Sequence, residues 1–583
     1  MDDIKLLILQ ATQQAFPEVK GSEALIELQR PTVTGFGDWT TNVALRLSAG
    51  LKTAPRTVAE TIVSRLEANI DSGPGLIHKI EVAGPGFINF TLNPNYYFEN
   101  LAQISDKYGQ TSTDSPLRII VEMGDPNTHK MPHIGHLFNY IAGDSIARLL
   151  ASQGHVIKRV SWQGDVGPHV AKCIYGWRAK GKPTATDIVR KMTILQDSYV
   201  YGSELYSEPE HLLQIKALNK LIYAQDPSVY SDWLETKEWS LEFDEFFERM
   251  LGIKLDQRYL EGDLWKKGMD IVRANLGPVF VESEGAIVFP GEKVGLHTRV
   301  FITKESTPTY EAKELGLNTQ KMEDFPYDLT VIPTADEQTA YFKVVIKALE
   351  ASVPALTGKI KHIGTGMINL TTGKMSSRSG NIVTGYGLVD IVQKRVQEVM
   401  SDRDSLKIID KEQVVRAVTM GAIKYAFLRG NILQNMTFNL EESISFEGNS
   451  GPYLQYTYAR IQSVLRHSNV TSIDSAHPGG STQPGGPVDL QASLVIDSEL
   501  SLVKKLERYP EVVVGATESY SPHLIANYLF DLAQQFNSYY KANSINSAET
   551  VQLVTARRQL SEKVSIVLAA GLNLLGIEVV AQM

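Results

Sequence analysis

Apolar and polar positions change rhythm several times along the chain. Residues 117–123, LRIIVEM, form a short β-rich run that ends in the turn formers GDPNTHKMP. The next stretch, HIGHLFNYIAGDSIARLLASQG, puts Leu137, Phe138, Ile141, Ile146, Leu149 and Leu150 on one broad helical face. HVIKRVSW then returns to a strand pattern, completing the strand, loop, helix, strand order that builds parallel sheets. Upstream, the first hundred or so residues predict a small α/β unit, with an amphipathic start, a Gly-rich turn at TGFGDWTTNVALRLS, a helix near 56–69 and the strand-like KIEVAGPGFINFTL. The polar DKYGQTSTDSP reads as a linker, with a boundary near Ser115.

Residues 180–275 are mostly helical and charged and carry no nameable chemistry, so they read as a helical insertion before strand signals resume at GAIVFP, TRVFIT and DLTVIPT. From about 405 onward the pattern is helical, broken by the Gly/Pro-rich HPGGSTQPGGPVD at 477–489, which cannot be a helix interior. No internal repeat is visible. The expected architecture is multidomain α/β: a small α/β domain over 1–112, a parallel-sheet domain with its insertion over 115–404, and an all-helical domain over 405–583.

Length agrees with several domains, since 583 residues exceed what one core supports. The net charge of -9 argues against a surface that is basic throughout and leaves a local basic face open. Cys173 is the single cysteine and no Cys/His cluster has metal-ligand spacing, so neither an internal disulfide nor zinc is expected. MDDIKLLILQATQQAFPEV lacks the basic start of a signal peptide, and no run approaches the ~18 apolar residues of a membrane span. A soluble cytoplasmic protein, with no membrane partner, is the expectation.

The chemistry concentrates where the loop meets the helix. A helix N-terminus presents free N–H groups and a positive dipole end, a ready anion site. His133 and His136, placed in the first turn, can donate to phosphate oxygens, while Gly135 leaves room for a flat base. The constellation suits ATP. A specified string such as HIGH arises by chance in a chain this long only on the order of a few times per thousand. A second signal is TTGKMSSRSGN, residues 371–381, a Gly/Ser-rich loop whose Lys374 and Arg378 can close over a polyphosphate, with Met375, Ser376 and Ser377 between them.

These two motifs resemble the HIGH and KMSKS sequences that bracket the ATP site in the Rossmann-like domain of class I aminoacyl-tRNA synthetases. The resemblance narrows to the arginyl-tRNA synthetases: VEMGDPNTHKMPHIGH is similar to that family's strand and ATP loop, and SWQGDVGPH to its next turn. GPYLQYTYARIQSVLR, LFDLAQQFNSYY and GLNLLGIEV are similar to its C-terminal anticodon-binding helices, and GDWTTNVALRLS with GPGFINFTL to its extra N-terminal domain. The chain departs twice. Ser377 stands where the signature has a second lysine, and Lys130, just before HIGH, is expected to supply that charge. GDPN replaces a pattern that more often has two serines, so Asp125 could alter how the substrate ammonium is held.

The resemblance implies an ATP-dependent ligase, working as a monomer, that joins L-arginine to tRNA(Arg) and uses Mg2+ with ATP. Arginine's planar guanidinium needs carboxylate partners. By resemblance the guanidinium meets the tyrosine Tyr310 and the acidic Glu314, with Glu122 a further candidate, while Asn127 and Gln338 hold the α-amino end. Phe87 and Asn89 are expected to touch the tRNA elbow, and Phe536, Tyr539 and Tyr540 to stack on anticodon bases, with at least one of these three packing in the core. Small nucleotidyltransferases with an H-x-G-H turn, and a binding protein that has lost catalysis, stay as alternatives.

Overall fold

The computed structural model describes residues 2–19, 21–31, 35–69, 75–370, 384–401, 411–467, 490–494 and 496–583. They form two compact units, one drawn from 1–104, 476–507 and 547–560, the other from 105–475, 508–546 and 561–583.

The larger unit is organised by a five-stranded sheet. Its order across the sheet is Ile360–Thr365, Leu329–Ala335, Arg118–Glu122, Val156–Gln163 and Gln257–Leu260, and every neighbouring pair is parallel. Arg118–Glu122 lies in the middle; Ile119, Ile120 and Val121 are buried, as a strand covered on both faces requires. The chain steps outward from it first to one side and then, after a long excursion, to the other. That reversal opens a crevice beyond the strands' C-terminal ends, where open α/β sheets take their ligands.

The helix Ile134–Ser152 follows the central strand and is buried nearly all round. Its far end is tied to a distant part of the same unit: Ser145 Oγ donates to the Leu574 carbonyl (2.8 Å) and Arg148 to Asn573 Oδ1 (2.6 Å). Lys424, on Lys411–Leu428, donates to the neighbouring Gly576 carbonyl (2.5 Å).

The charged segment 180–275 differs from a simple helical insertion. Ile188–Leu205, Pro209–Tyr223 and Pro227–Leu251 are helices, but Gln257–Leu260 is the edge strand of the central sheet. GAIVFP and TRVFIT lie in a separate antiparallel sheet, Val281–Ser283, Ala286–Phe289 and Arg299–Ile302. Beyond residue 405, among the described residues, one short strand, Met436–Phe438, interrupts the helices and pairs with Ile368–Leu370.

The smaller unit holds an antiparallel sheet in the order Leu28–Gln29, Trp39–Thr41, Phe87–Leu92, Ile77–Ala83, packed against the helices Val43–Leu51 and Pro55–Asn69, with Asp2–Ala15 against the latter. KIEVAGPGFINFTL is thus a hairpin turning at residues 84–86. The helix Asp497–Glu507 belongs to this unit, with Lys504 bonded to Asp38 (2.7 Å).

Candidate functional site

Past Glu122 the backbone turns through Gly124 and Asp125, both left-handed, with φ of 82° and 51°. Only glycine fits at the first: a Cβ there would lie 2.1 Å from Cζ of Tyr140, whose ring fills the space beneath the turn. Tyr140 is itself fixed by donating to Glu248 (2.7 Å). Asp125 accepts from the Trp162 N–H (2.8 Å), tying the loop to the next strand. Further on, the Thr128 hydroxyl donates to the Gly164 carbonyl (2.9 Å), and the buried His129 ring lies between Thr128 and Thr236. The His129 N–H donates to Ser240 Oγ (2.9 Å). Thr236, Ser240 and Glu248 all sit on Pro227–Leu251, so this charged helix is the buttress of the loop.

His133 is the N-cap of Ile134–Ser152 rather than a member of its first turn. Its Nδ1 accepts from the Gly135 N–H (3.1 Å), and the His133 N–H donates to His136 Nδ1 (3.1 Å), a capping box made by two imidazoles. Gly135 is required by this arrangement, because a Cβ there would meet the His133 ring at 2.8 Å. With both Nδ1 atoms accepting, each neutral ring carries its proton on Nε2, directed away from the helix backbone. Burial lowers the pKa of both rings, His136 more strongly, and the Lys130 ammonium lowers both further. They are hydrogen-bond donors rather than cations.

The crevice beside this helix holds a cavity of about 650 Å³. His133, Gly135, His136, Asn127, Tyr310, Gln338 and the carboxylates Glu122, Asp125, Glu261 and Glu314 all line it. Two of these carboxylates have buried lysine partners: Lys321 pairs with Glu122, and Lys313 with Glu261 at 2.5 Å. Asp125 and Glu314 make no ion pair with any described residue. Among the described residues the Glu314 side chain accepts from the Asn318 amide alone (3.2 Å), and burial, then the Glu122 charge, pushes its pKa up to about 8. Burial followed by Glu122 also holds Asp125 well above the usual carboxylate range. This wall is stiff, because Glu261–Ala274 and Tyr310–Asp324 cross at Gly268 and Gly316, where a Cβ would lie 2.0 Å from the Ala312 carbonyl or 2.5 Å from that of Leu264.

The structure therefore brings together most of the expected site and amends parts of it. Glu122 is in the cavity, but its charge is already met by Lys321. Lys130 acts on the histidines electrostatically yet does not line the cavity; its ammonium faces the Tyr199 ring at 5.7 Å. Lys374, Met375, Ser376, Ser377 and Arg378 lie outside the described residues. In the smaller unit Phe87 is exposed, whereas Asn89 is buried within the sheet. Phe536 and Tyr539 are core residues of Pro522–Ala542 and cannot stack on a base. Tyr540 instead borders an open groove of about 920 Å³ with Arg460 and Lys541. Lys321, Glu261 with Lys313, and Tyr341 are site residues that sequence reasoning missed. Glu122 and Lys321 meet from opposite ends of the domain, and no local pattern announces such a pair.

Among the described residues no helix is long and apolar enough to cross a membrane. Comparison with known families matches residues 2–92 to the arginyl tRNA synthetase N-terminal domain, 99–440 to the catalytic domain of class I (R) tRNA synthetases, and 454–583 to the DALR anticodon binding domain. An arginine–tRNA ligase of Porphyromonas gingivalis is 30% identical over 96% of both chains, and one of Bacteroides thetaiotaomicron 29% over 96% of both. The fold is similar to that of Thermus thermophilus arginyl-tRNA synthetase, with a TM-score of 0.78 at 23% identity, covering 98% of this chain and 99% of the other.

Proposed function

The chain belongs to the arginyl-tRNA synthetases of class I, and from that premise we propose that it activates L-arginine with ATP and transfers the arginyl group to the 3′ end of tRNA(Arg). The observation that carries this reading is an acidic cavity opening directly beside a helix N-terminus whose two capping histidines keep Nε2 free to donate.

In the first step the arginine carboxylate attacks the α-phosphorus of ATP and pyrophosphate leaves. The histidine Nε2–H groups and the N-terminal dipole hold the phosphate oxygens, with Lys130 and, from the 371–381 loop, Lys374 adding positive charge. Such catalysis is positioning and electrostatics without a protein nucleophile. Among the described residues no three His, Cys, Asp or Glu side chains gather as a metal cage. Magnesium would come with ATP and offset part of the triphosphate's charge. In the second step a hydroxyl of the terminal ribose attacks the adenylate carbonyl and AMP leaves.

Glu314 and Tyr310 take the guanidinium, and Asn127 and Gln338 the α-amino end. Lysine leaves the fork acceptors unfilled and is rejected by roughly 10⁴. The Tyr540 groove takes anticodon bases and exposed Phe87 the tRNA elbow, and the enzyme works in the cytoplasm as a monomer. Exchange of labelled pyrophosphate into ATP tests the reading. It is expected with arginine plus cognate tRNA and absent with lysine or glutamate; no exchange with arginine under either condition overturns it.

A further inference from the structure

Arginine brings two cationic groups, and of the carboxylates lining the cavity Asp125, Glu314 and the exposed Glu337 lack a cationic partner among the described residues. Glu122 and Glu261 are spent on Lys321 and Lys313. Glu314 faces the guanidinium in the reading above, on which the present inference rests. Glu337 is exposed, so water solvates its charge, which leaves Asp125; among the described residues its side chain accepts hydrogen bonds from uncharged donors alone, the Trp162 N–H at 2.8 Å and the Ser161 hydroxyl at 3.5 Å. A buried carboxyl that meets only neutral donors is held toward its protonated form, and a cation entering beside it favours the ionised one.

Position selects which cation. The amino acid's carboxylate has to reach the α-phosphorus, so its Cα lies toward the histidine-capped helix and its guanidinium away from it. Asp125 lies on the loop running from the central strand into that cap, and Glu314 on a different element, the helix Tyr310–Asp324. The left-handed turn at Gly124 and Asp125, seated on the Tyr140 ring, fixes the carboxylate at the edge of the cavity. We infer that Asp125 is the anionic partner of the substrate α-ammonium and so a determinant of specificity for the amino-acid head group. A serine at this position, as the resemblance makes more usual, offers a hydroxyl and no charge. This chain would then read the head group through an ion pair.

The competing role for Asp125 is structural, since it also ties the loop to Trp162. Two ligands separate the roles: L-arginine, and 5-guanidinopentanoate, which is arginine without its α-amino group. D125N keeps an oxygen to accept from Trp162, and D125S restores the more usual hydroxyl. In exchange assays on the full chain with cognate tRNA, both variants are expected to raise KM for arginine about 10- to 100-fold, the worth of a charge-assisted hydrogen bond. KM for ATP and the inhibition constant of 5-guanidinopentanoate should stay unchanged. Equal weakening of arginine and the analogue means Asp125 only holds the loop and overturns the inference, as does an unshifted arginine KM. If the unsubstituted enzyme shows no arginine-dependent exchange, it is the arginyl reading itself that has failed.

Discussion

His133 and His136 stack ring on ring, with centroids 3.7 Å apart and planes 26° from parallel, while both Nδ1 atoms cap the helix that carries them. One imidazole nitrogen thus serves the fold and the other is left for phosphate. The two duties can be separated by substitution. Asparagine at 133 preserves an N-cap acceptor and removes the distal donor. His133→Asn is expected to melt within about 0.5 kcal/mol of the parent and to lose about 10²- to 10³-fold in the rate of pyrophosphate exchange. His133→Ala should lose both activity and about 1 kcal/mol of stability. Thermal melts beside exchange assays read the two effects.

Acid should weaken the fold through its buried histidines. Burial lowers His136 well below its ordinary value and brings His169 down to about 3, with the His169 ring bonded to the Gly164 carbonyl (3.0 Å). In the unfolded chain each titrates near ~6.5, so the unfolded state binds more protons below that pH. The stabilisation is present above ~6.5 and is lost as pH falls toward the folded values. Urea midpoints should fall between pH 7 and pH 4.5, and more shallowly in His169→Gln.

Arginine affinity should likewise improve with rising pH, in a higher range. Glu314, held up to about 8 in the empty cavity, must be ionised to receive a guanidinium. Binding below that pH therefore releases a proton. KM for arginine is expected to fall as pH rises from 6 to 8, with a slope of at least ~1 on logarithmic axes. Glu314→Gln should flatten that slope by about one proton and weaken arginine binding at every pH, what remains belonging to Asp125, which is also held above the usual carboxylate range. Exchange assays across the range, with ATP saturating, measure this.

Removing one half of a buried ion pair is costly. Lys321 is fully buried against Glu122. Lys321→Met is expected to destabilise the enzyme by about 3–5 kcal/mol because it strands a carboxylate. Adding Glu122→Gln should recover part of that loss. Guanidinium chloride unfolding of the single and double variants gives the comparison.

Much of this site could be read from local patterns. The strand Arg118–Glu122, the loop and the helix Ile134–Ser152 announce themselves by period and by HIGH. The burial of Phe536 and Tyr539 was legible too: they continue the spacing of Ile525, Leu529 and Leu532, all core residues of the same helix. By contrast, Gln257–Leu260 is too short to impose an alternation and is strand only because Val156–Gln163 offers it an edge. Long-range pairings were equally silent. Nothing near Thr236 or Ser240 foretells that they hold the His129 loop, because that role exists only once a helix has packed across it.

The bonds from Ser145 and Arg148 to the backbone and side chain at 573–574 have a consequence for biosynthesis. The helix that presents the histidines is translated early and its far end meets near neighbours such as Thr111 and Arg159, but it lacks the bonds to 573 and 574 until those residues leave the ribosome. During synthesis the nascent chain can form the sheet and the cap while the other end of the helix is still incompletely tied. The finished grip on ATP is thereby withheld until residues 573–576 have emerged, so a transcript broken ahead of that codon stretch should yield protein that folds in part and does not charge tRNA.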